Sequence, residues 1–345
     1  MIVLRTFVSK ITTIFPNCAT RLYMKNLPSI DYAKLFFAFC IIFIHTDILG
    51  GNSNYIGYVT CQGLLRIAVP FFFITSGYFY FSVMQKNKIK KWFSHNIKTY
   101  ALWTLLYLPI ILGLVGFIRA GKPLATDLTY LSLNAVFGFW HLWFFPALIV
   151  SALLTLLLAK LKDRTSIIIC CILYTCGTLL QYRANYAIDI NRDIWSLATV
   201  FFSRNGLFMG FPLFMLGYLI NKNNIRNNNT YLLIGSIILV IIEASVNYSY
   251  GTYTFDMLFS LPFAGVFVFL KVLDITLKTK NTFTIREHSK NIYLIQIYAI
   301  QFAKQFASDW LIITTIACTI CISYSIANII KDNLIANFRL KSLSN

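Results

Sequence analysis

Apolar residues run along this chain in long stretches, as at 30–49 and 99–118, separated by short polar connections. Crossing about 30 Å of hydrocarbon takes roughly 20 mostly apolar residues, and these stretches reach that length repeatedly. Inside lipid each segment must satisfy its own backbone, so stretches this long are expected to be helices. The pattern predicts ten spans, at 30–49, 65–84, 99–118, 139–159, 165–181, 199–220, 231–247, 257–277, 291–307 and 310–330. The expected fold class is therefore all-α: a polytopic transmembrane helical bundle of about ten spans. It has no internal repeat, no heptad array and no soluble domain of useful size.

The basic residues orient this bundle. Twenty-two Lys and Arg fall in the terminal segments and the even-numbered connections, from Arg5 through Lys98, Arg164 and Arg226 to Lys341. The opposite set of loops holds five: Arg119, Lys122, Arg183, Arg192 and Lys304. The positive-inside rule then places both termini in the cytoplasm, and ten spans agree with that in parity. The protein is expected to be a multi-pass protein of the cell membrane. Its domain plan is a cytoplasmic N-terminal tail at 1–25, a ten-helix membrane domain at 26–332 and a cytoplasmic C-terminal tail at 333–345. The tail at 1–25 lacks the apolar core of a secretory signal, and Met24 is an alternative expected start.

Composition sharpens the picture. Hydrophobic residues make up 58% of the chain and charged residues only 12%, against about 25% charged in a soluble globular chain. A net charge of +18 would suggest nucleic acid in a soluble protein, but here the charge lies in short loops facing anionic lipid. The expected partner is the lipid bilayer, with no nucleic acid. Most of the eight cysteines lie inside apolar stretches, and Cys318 and Cys321 have no second pair nearby in a polar loop. Neither a disulfide framework nor a zinc site is expected, and no metal site is assigned.

Function is sought where burial costs most. A charge at a helix centre costs about 2.5–3.5 kcal/mol on insertion scales, so it persists where it meets a cavity or a partner. Lys34 and His45 stand eleven residues apart on the first span. Steps of about 100° put them on one face, roughly 16 Å apart along the axis. A neutral imidazole can take a proton from a hydroxyl near neutral pH, and a lysine near the inner mouth can hold a phosphate-bearing donor. The plain alternative is a snorkelling lysine and a histidine bonded to a backbone carbonyl. Arg66 opens a run through Pro70, Ser76 and Gly77 to Tyr78, either as a functional cation or as an interface anchor. His141 and Trp143 open the fourth span amid aromatic residues that suit an ordinary membrane belt. Arg204, before Asn205 and Gly206, either binds an anion or pairs with Glu243, the one glutamate within an expected span.

The order of Asp31-Tyr32-Ala33-Lys34, His45, Arg66 to Tyr78, His141-Leu142-Trp143 and Ser289 to Tyr298 resembles the acyltransferase type three family of integral membrane acyltransferases. The resemblance extends over nearly all of 26–330. Within the family, His141 to Leu148, Arg204-Asn205-Gly206 and Glu243-Ala244-Ser245 look similar to the membrane half of the membrane-bound serine racemases of vancomycin resistance. Their pyridoxal-binding racemase domain has no counterpart in this sequence, so racemase activity is not expected. The family resemblance implies transfer of an acyl group, often acetyl, from acyl-coenzyme A as donor substrate to a hydroxyl of an envelope glycan or related acceptor, with no bound cofactor. It implies a catalytic group of His45, Lys34 and Arg66, with His45 as general base. Lys34 stands where the family usually has arginine, which keeps the charge but not the bidentate fork. His141, Trp143, Arg204, Glu243 and Ser76 are the expected substrate-binding residues. The racemase resemblance also implies an alternative, a membrane carrier for a small amino acid such as serine. A scaffold without chemistry is a third reading.

Overall fold

The computed structural model describes residues 27–115, 124–186, 203–226, 229–279, 282–306 and 310–326. Among these the secondary structure is helical, with no strand. The expected tails, the loop cations Arg119, Lys122 and Arg192, and the ends of the third, sixth and tenth spans lie outside them.

A helix overlaps each expected span. In chain order, α1 is Pro28–His45, α2 Tyr55–Gln85, α3 Ile89–Val115, α4 Leu124–Phe137, α5 Trp140–Leu158 and α6 Asp163–Tyr186. Next come α7 at Gly206–Lys222, α8 at Thr230–Tyr250, α9 at Leu261–Asp274, α10 at Phe283–Phe306 and α11 at Leu311–Ile326. The helix α4 was not expected; it stands between the third and fourth spans. Five of these helices, α1, α2, α5, α6 and α8, are long and apolar enough to cross a membrane. The protein is therefore a membrane protein with several spanning helices. Both α7 and α11 are apolar but shorter.

The chain forms two compact units. One joins residues up to Ile48 with those from Ile275 onward, and the other runs from Leu49 to Asp274. In the first unit α1 packs along α10. Its anchor is polar: Asp31, in the first turn of α1, is 2% exposed and accepts from Nε and Nη2 of Arg286 at 3.1 and 2.8 Å. The Thr282 hydroxyl donates to the same carboxylate at 2.5 Å. These hydrogen bonds raise the proton affinity of the Arg286 guanidinium above its ordinary value. Further along α10, His288 meets the Ser323 hydroxyl at 2.8 Å and stacks on Tyr324, which ties α11 to α10.

In the second unit α2 and α7 cross most closely. A Cβ on Gly77 would land on the Phe214 carbonyl, and one on Gly217 would land on the Ile74 carbonyl. Two glycines thus let the backbones touch, as small residues do in membrane interfaces. The helix α7 also packs on α5 and α6, and α9 packs on α2 and α8. A Cβ on Gly265 of α9 would stand 2.6 Å from the Pro70 ring.

Two of these helices change winding at one end. In α2, Val59–Gly63 is wound as π-helix and Leu64–Ile67 as 3₁₀-helix before the regular part starts at Ala68. In α7, Gly206–Gly210 is π-helix, followed by regular helix from Phe211 with Pro212 in its first turn. Such π-turns gather at functional sites, because they displace a side chain from the regular register.

Candidate functional site

The two π-turns each adjoin an arginine. Arg66 follows the first and Arg204 precedes the second. Between them stands Asp256, on the segment that leads into α9. Its carboxylate Oδ1 accepts from Arg66 Nη1 in a close ion pair. Its Oδ2 lies 3.6 Å from Arg204 Nη1, within ion-pair reach but too long for a hydrogen bond. The three side chains are 12%, 20% and 23% exposed for Arg66, Asp256 and Arg204, so the cluster is largely withdrawn yet not sealed.

A shell of neutral groups fixes this cluster. Gln62, inside the π-turn, accepts from Arg66 Nη2 at 2.8 Å and from the Phe255 N–H at 3.2 Å, and donates to Asn52 at 2.9 Å. Gln181 of α6 accepts from the backbone N–H groups of Asp256 and Met257 at 3.1 and 3.2 Å. Arg204 lies over the Trp143 ring, 5.2 Å from its centroid, in cation–π contact. The structure therefore brings together three of the expected residues, Arg66, Trp143 and Arg204, around an acid that sequence reasoning left out.

The other expected residues fall into different places. His141 is 2% exposed and stands edge-on to Tyr107, centroids 5.2 Å apart, in the 3₁₀ turn that opens α5. That turn depends on Gly138, at φ 91°, where a Cβ would press into the backbone of Trp143. Asn205 and Gly206 of the Arg204 motif have structural tasks. Asn205 caps α7 by accepting from the N–H groups of Leu207 and Phe208 at 2.8 and 2.9 Å, and Gly206 leaves room for Val150.

Glu243 does not pair with Arg204; the acid facing Arg204 is Asp256. One oxygen of Glu243 accepts from the Tyr182 hydroxyl at 2.7 Å and the Phe259 N–H at 2.8 Å. The other accepts from the Ser260 N–H at 2.8 Å and the Ser260 hydroxyl at 2.5 Å. Glu243 thus holds the start of α9 and, four residues back, the loop that carries Asp256. Ser76 donates to the Phe72 carbonyl one turn earlier at 2.7 Å, a bond within its own helix.

Lys34 and His45 belong to the first unit. Lys34 is half-buried on α1, within electrostatic reach of both Asp31 and Arg286. His45 is the last residue of α1 and is exposed. Arg286, which sequence reasoning counted only as a loop cation, is the additional basic group near Lys34. The described residues contain no group of three or more His, Cys, Asp or Glu able to hold a metal ion.

An arginine pair on one carboxylate, a lysine beside an acid–arginine clamp and an exposed histidine are compatible with several chemistries. Comparison with known proteins narrows them. A family model for the type three acyltransferase domain matches residues 27–329. The chain belongs to this acyltransferase family. The match covers both units, and so takes in Lys34 and His45 as well as the arginine cluster.

The chain is also similar to proteins with a further name. It is 29% identical over 230 residues to a serine/alanine racemase of Enterococcus gallinarum, covering 61% of this chain and 32% of that protein. It is 27% identical over 221 residues to an amino-acid racemase of Enterococcus faecalis, covering 62% and 31%. A second amino-acid racemase of Enterococcus faecalis is 30% identical over 160 residues, covering 43% and 22%. The matched part of the chain thus spans about a third of the length of these relatives or less. No solved structure matches it.

Proposed function

We propose that this membrane acyltransferase moves an acyl group, acetyl by preference, from acyl-coenzyme A to a hydroxyl of a cell-envelope sugar or related acceptor. The observation that carries the reading is the family match over residues 27–329. His45 is the general base that takes the acceptor hydroxyl's proton as the oxygen attacks the thioester carbonyl; the C–S bond then breaks, and coenzyme A leaves as its thiol with that proton. Its exposure at the end of α1 supports this role, because a base must be reachable. Lys34 offers a cation to the phosphates of the donor, and Arg286 keeps Asp31 occupied so that Lys34 is not neutralised by it alone. Arg66 offers positive charge to anionic groups in the reaction, as does Arg204. The donor enters from the cytoplasm, and the acceptor lies on the outer side.

The test is transfer from radiolabelled acetyl-coenzyme A by the purified protein, with mass analysis of envelope glycans from cells with and without it. The expected result is turnover in the native protein and its loss in His45→Ala. Unchanged turnover in that variant would remove His45 from the mechanism.

A second reading is favoured by the names of the relatives, which act as serine/alanine and amino-acid racemases. A membrane part joined to such an enzyme has a reason to carry a small amino acid. The broken windings of α2 and α7 fit a carrier in form, since transporter sites use interrupted helices. Uptake of radiolabelled serine into vesicles separates the two readings, because an acyltransferase alone gives none above background.

A further inference from the structure

We infer that the Arg66–Asp256–Arg204 cluster is a recognition site for a singly charged oxyacid group, a carboxylate or a phosphodiester, on the acceptor. The inference rests on the acyl-transfer reading for the word acceptor, and on the geometry of the cluster for everything else.

Among the described residues, two guanidiniums converge on one carboxylate, so these three side chains together carry one positive charge in excess. All three side chains are at most 23% exposed. A withdrawn charge without a counter-charge is costly, and a monoanion is the complement that removes the cost. Arg204 is the underused partner: its Nη1 stands 3.6 Å from Asp256, beyond hydrogen-bond length, and its other support is the face of Trp143. Among the described residues, the Nε atoms of both Arg66 and Arg204 are buried and have no hydrogen-bond partner. A purely structural ion cluster would be expected to satisfy these donors, as buried polar groups generally are satisfied. Glu243 could have neutralised the excess, but its two oxygens are taken by Tyr182, Phe259 and Ser260.

Asp256 then acts as the internal occupant. It keeps the two guanidiniums in place when no ligand is present, and an incoming oxyacid group competes with it for Arg204. Each arginine also adjoins a π-turn, a winding that recurs at functional sites.

The experiment measures ligand-dependent thermal stabilisation of the full chain purified in detergent. Glucuronate supplies the carboxylate, glycerophosphoglycerol the phosphodiester, and glucose is the neutral control. Saturable stabilisation by either anion and none by glucose is expected, and which anion works identifies the oxyacid. Arg204→Gln is expected to weaken binding by about tenfold or more, and Asp256→Asn to tighten it. If Arg204→Gln does not fold, Arg204→Lys, which keeps charge but not the fork, is expected to bind about threefold more weakly. No binding of either anion, or binding unchanged in the Arg204 variants, would overturn the inference. Acetyl-coenzyme A turnover is read in the same preparations. Turnover without anion binding sinks this inference and spares the proposed function, whereas anion binding without turnover does the reverse.

Discussion

Replacing Glu243 with glutamine tests whether this acid is a brace or a reactant. The carboxylate accepts four hydrogen bonds, from the Tyr182 hydroxyl, the Phe259 and Ser260 N–H groups and the Ser260 hydroxyl, at 2.5–2.8 Å. A glutamine offers one acceptor oxygen and one amino group. The two hydroxyls can rotate to accept from that amino group, but a backbone N–H cannot, so one of the two N–H groups loses its partner. Ser260 is 6% exposed and Phe259 39% exposed, so the amide is expected to keep its oxygen on Ser260. The Phe259 N–H is then left at the more accessible end, at a cost near the low limit for an unmet donor, about 1 kcal/mol. Loss of charge on the remaining bonds, and of a negative group at the start of α9, adds about another 1 kcal/mol. Glu243→Gln should therefore lower stability by about 2 kcal/mol, which in a unit of this size is about 4–8 °C in melting temperature. Glu243→Ala removes all four bonds and should cost more, about 3–4 kcal/mol, with water filling part of the gap. The assay is thermal unfolding of the detergent-purified protein, followed by circular dichroism, with turnover measured in parallel. Native melting in Glu243→Gln would refute the bracing role, and native melting with lost turnover would show Glu243 to be a reacting group.

Three other outcomes follow from the same reasoning. Gly77→Ala drives a methyl onto the Phe214 carbonyl and should destabilise the second unit by about 1–3 kcal/mol, seen as a lower melting temperature, whereas alanine at Gly235, which has open space, should not. Asp31→Asn deprives Arg286 of its two-point partner; with Arg286 38% exposed, the cost should fall below the about 3–5 kcal/mol of a fully buried pair, and unfolding in denaturant will measure it. Lys34→Ala should raise the KM for acetyl-coenzyme A about tenfold, while Lys34→Arg should stay within about threefold of native; equal KM values in all three would remove Lys34 from donor binding.

Much of the architecture could be read from the pattern of apolar stretches, since a helix stands over each expected segment. The helix α4 was missed because Leu124–Phe137 carries Thr, Ser, Asn and Asp among its apolar residues and is too short to span. The broken winding of α2 and α7 was equally hidden. Apolar count is blind to whether a turn closes at i−4 or i−5, and only the glycines at 63, 206 and 210 mark the places.

The arginine cluster shows where sequence reasoning stops and what could have carried it further. Arg66, His141 and Arg204 stand out in the sequence because charge or polarity in an apolar stretch is conspicuous. Asp256 does not stand out, because it sits just before its span, where an acid is ordinary. Yet the expected topology already held the connection. Arg66, Trp143 and Arg204 stand near the starts of the second, fourth and sixth spans, and Asp256 at the start of the eighth. Even-numbered spans all begin on one side, so these residues were bound for the same end of the bundle. Two arginines arriving there call for an acid, and Glu243 in the seventh span was the tempting partner because it was the conspicuous one. Position along the span decided otherwise: Glu243 is closer in sequence to the N–H groups that open α9, and a carboxylate satisfied by a helix start is lost to distant cations. A buried acid in an apolar chain should therefore be matched first to the nearest helix start and only then to an arginine.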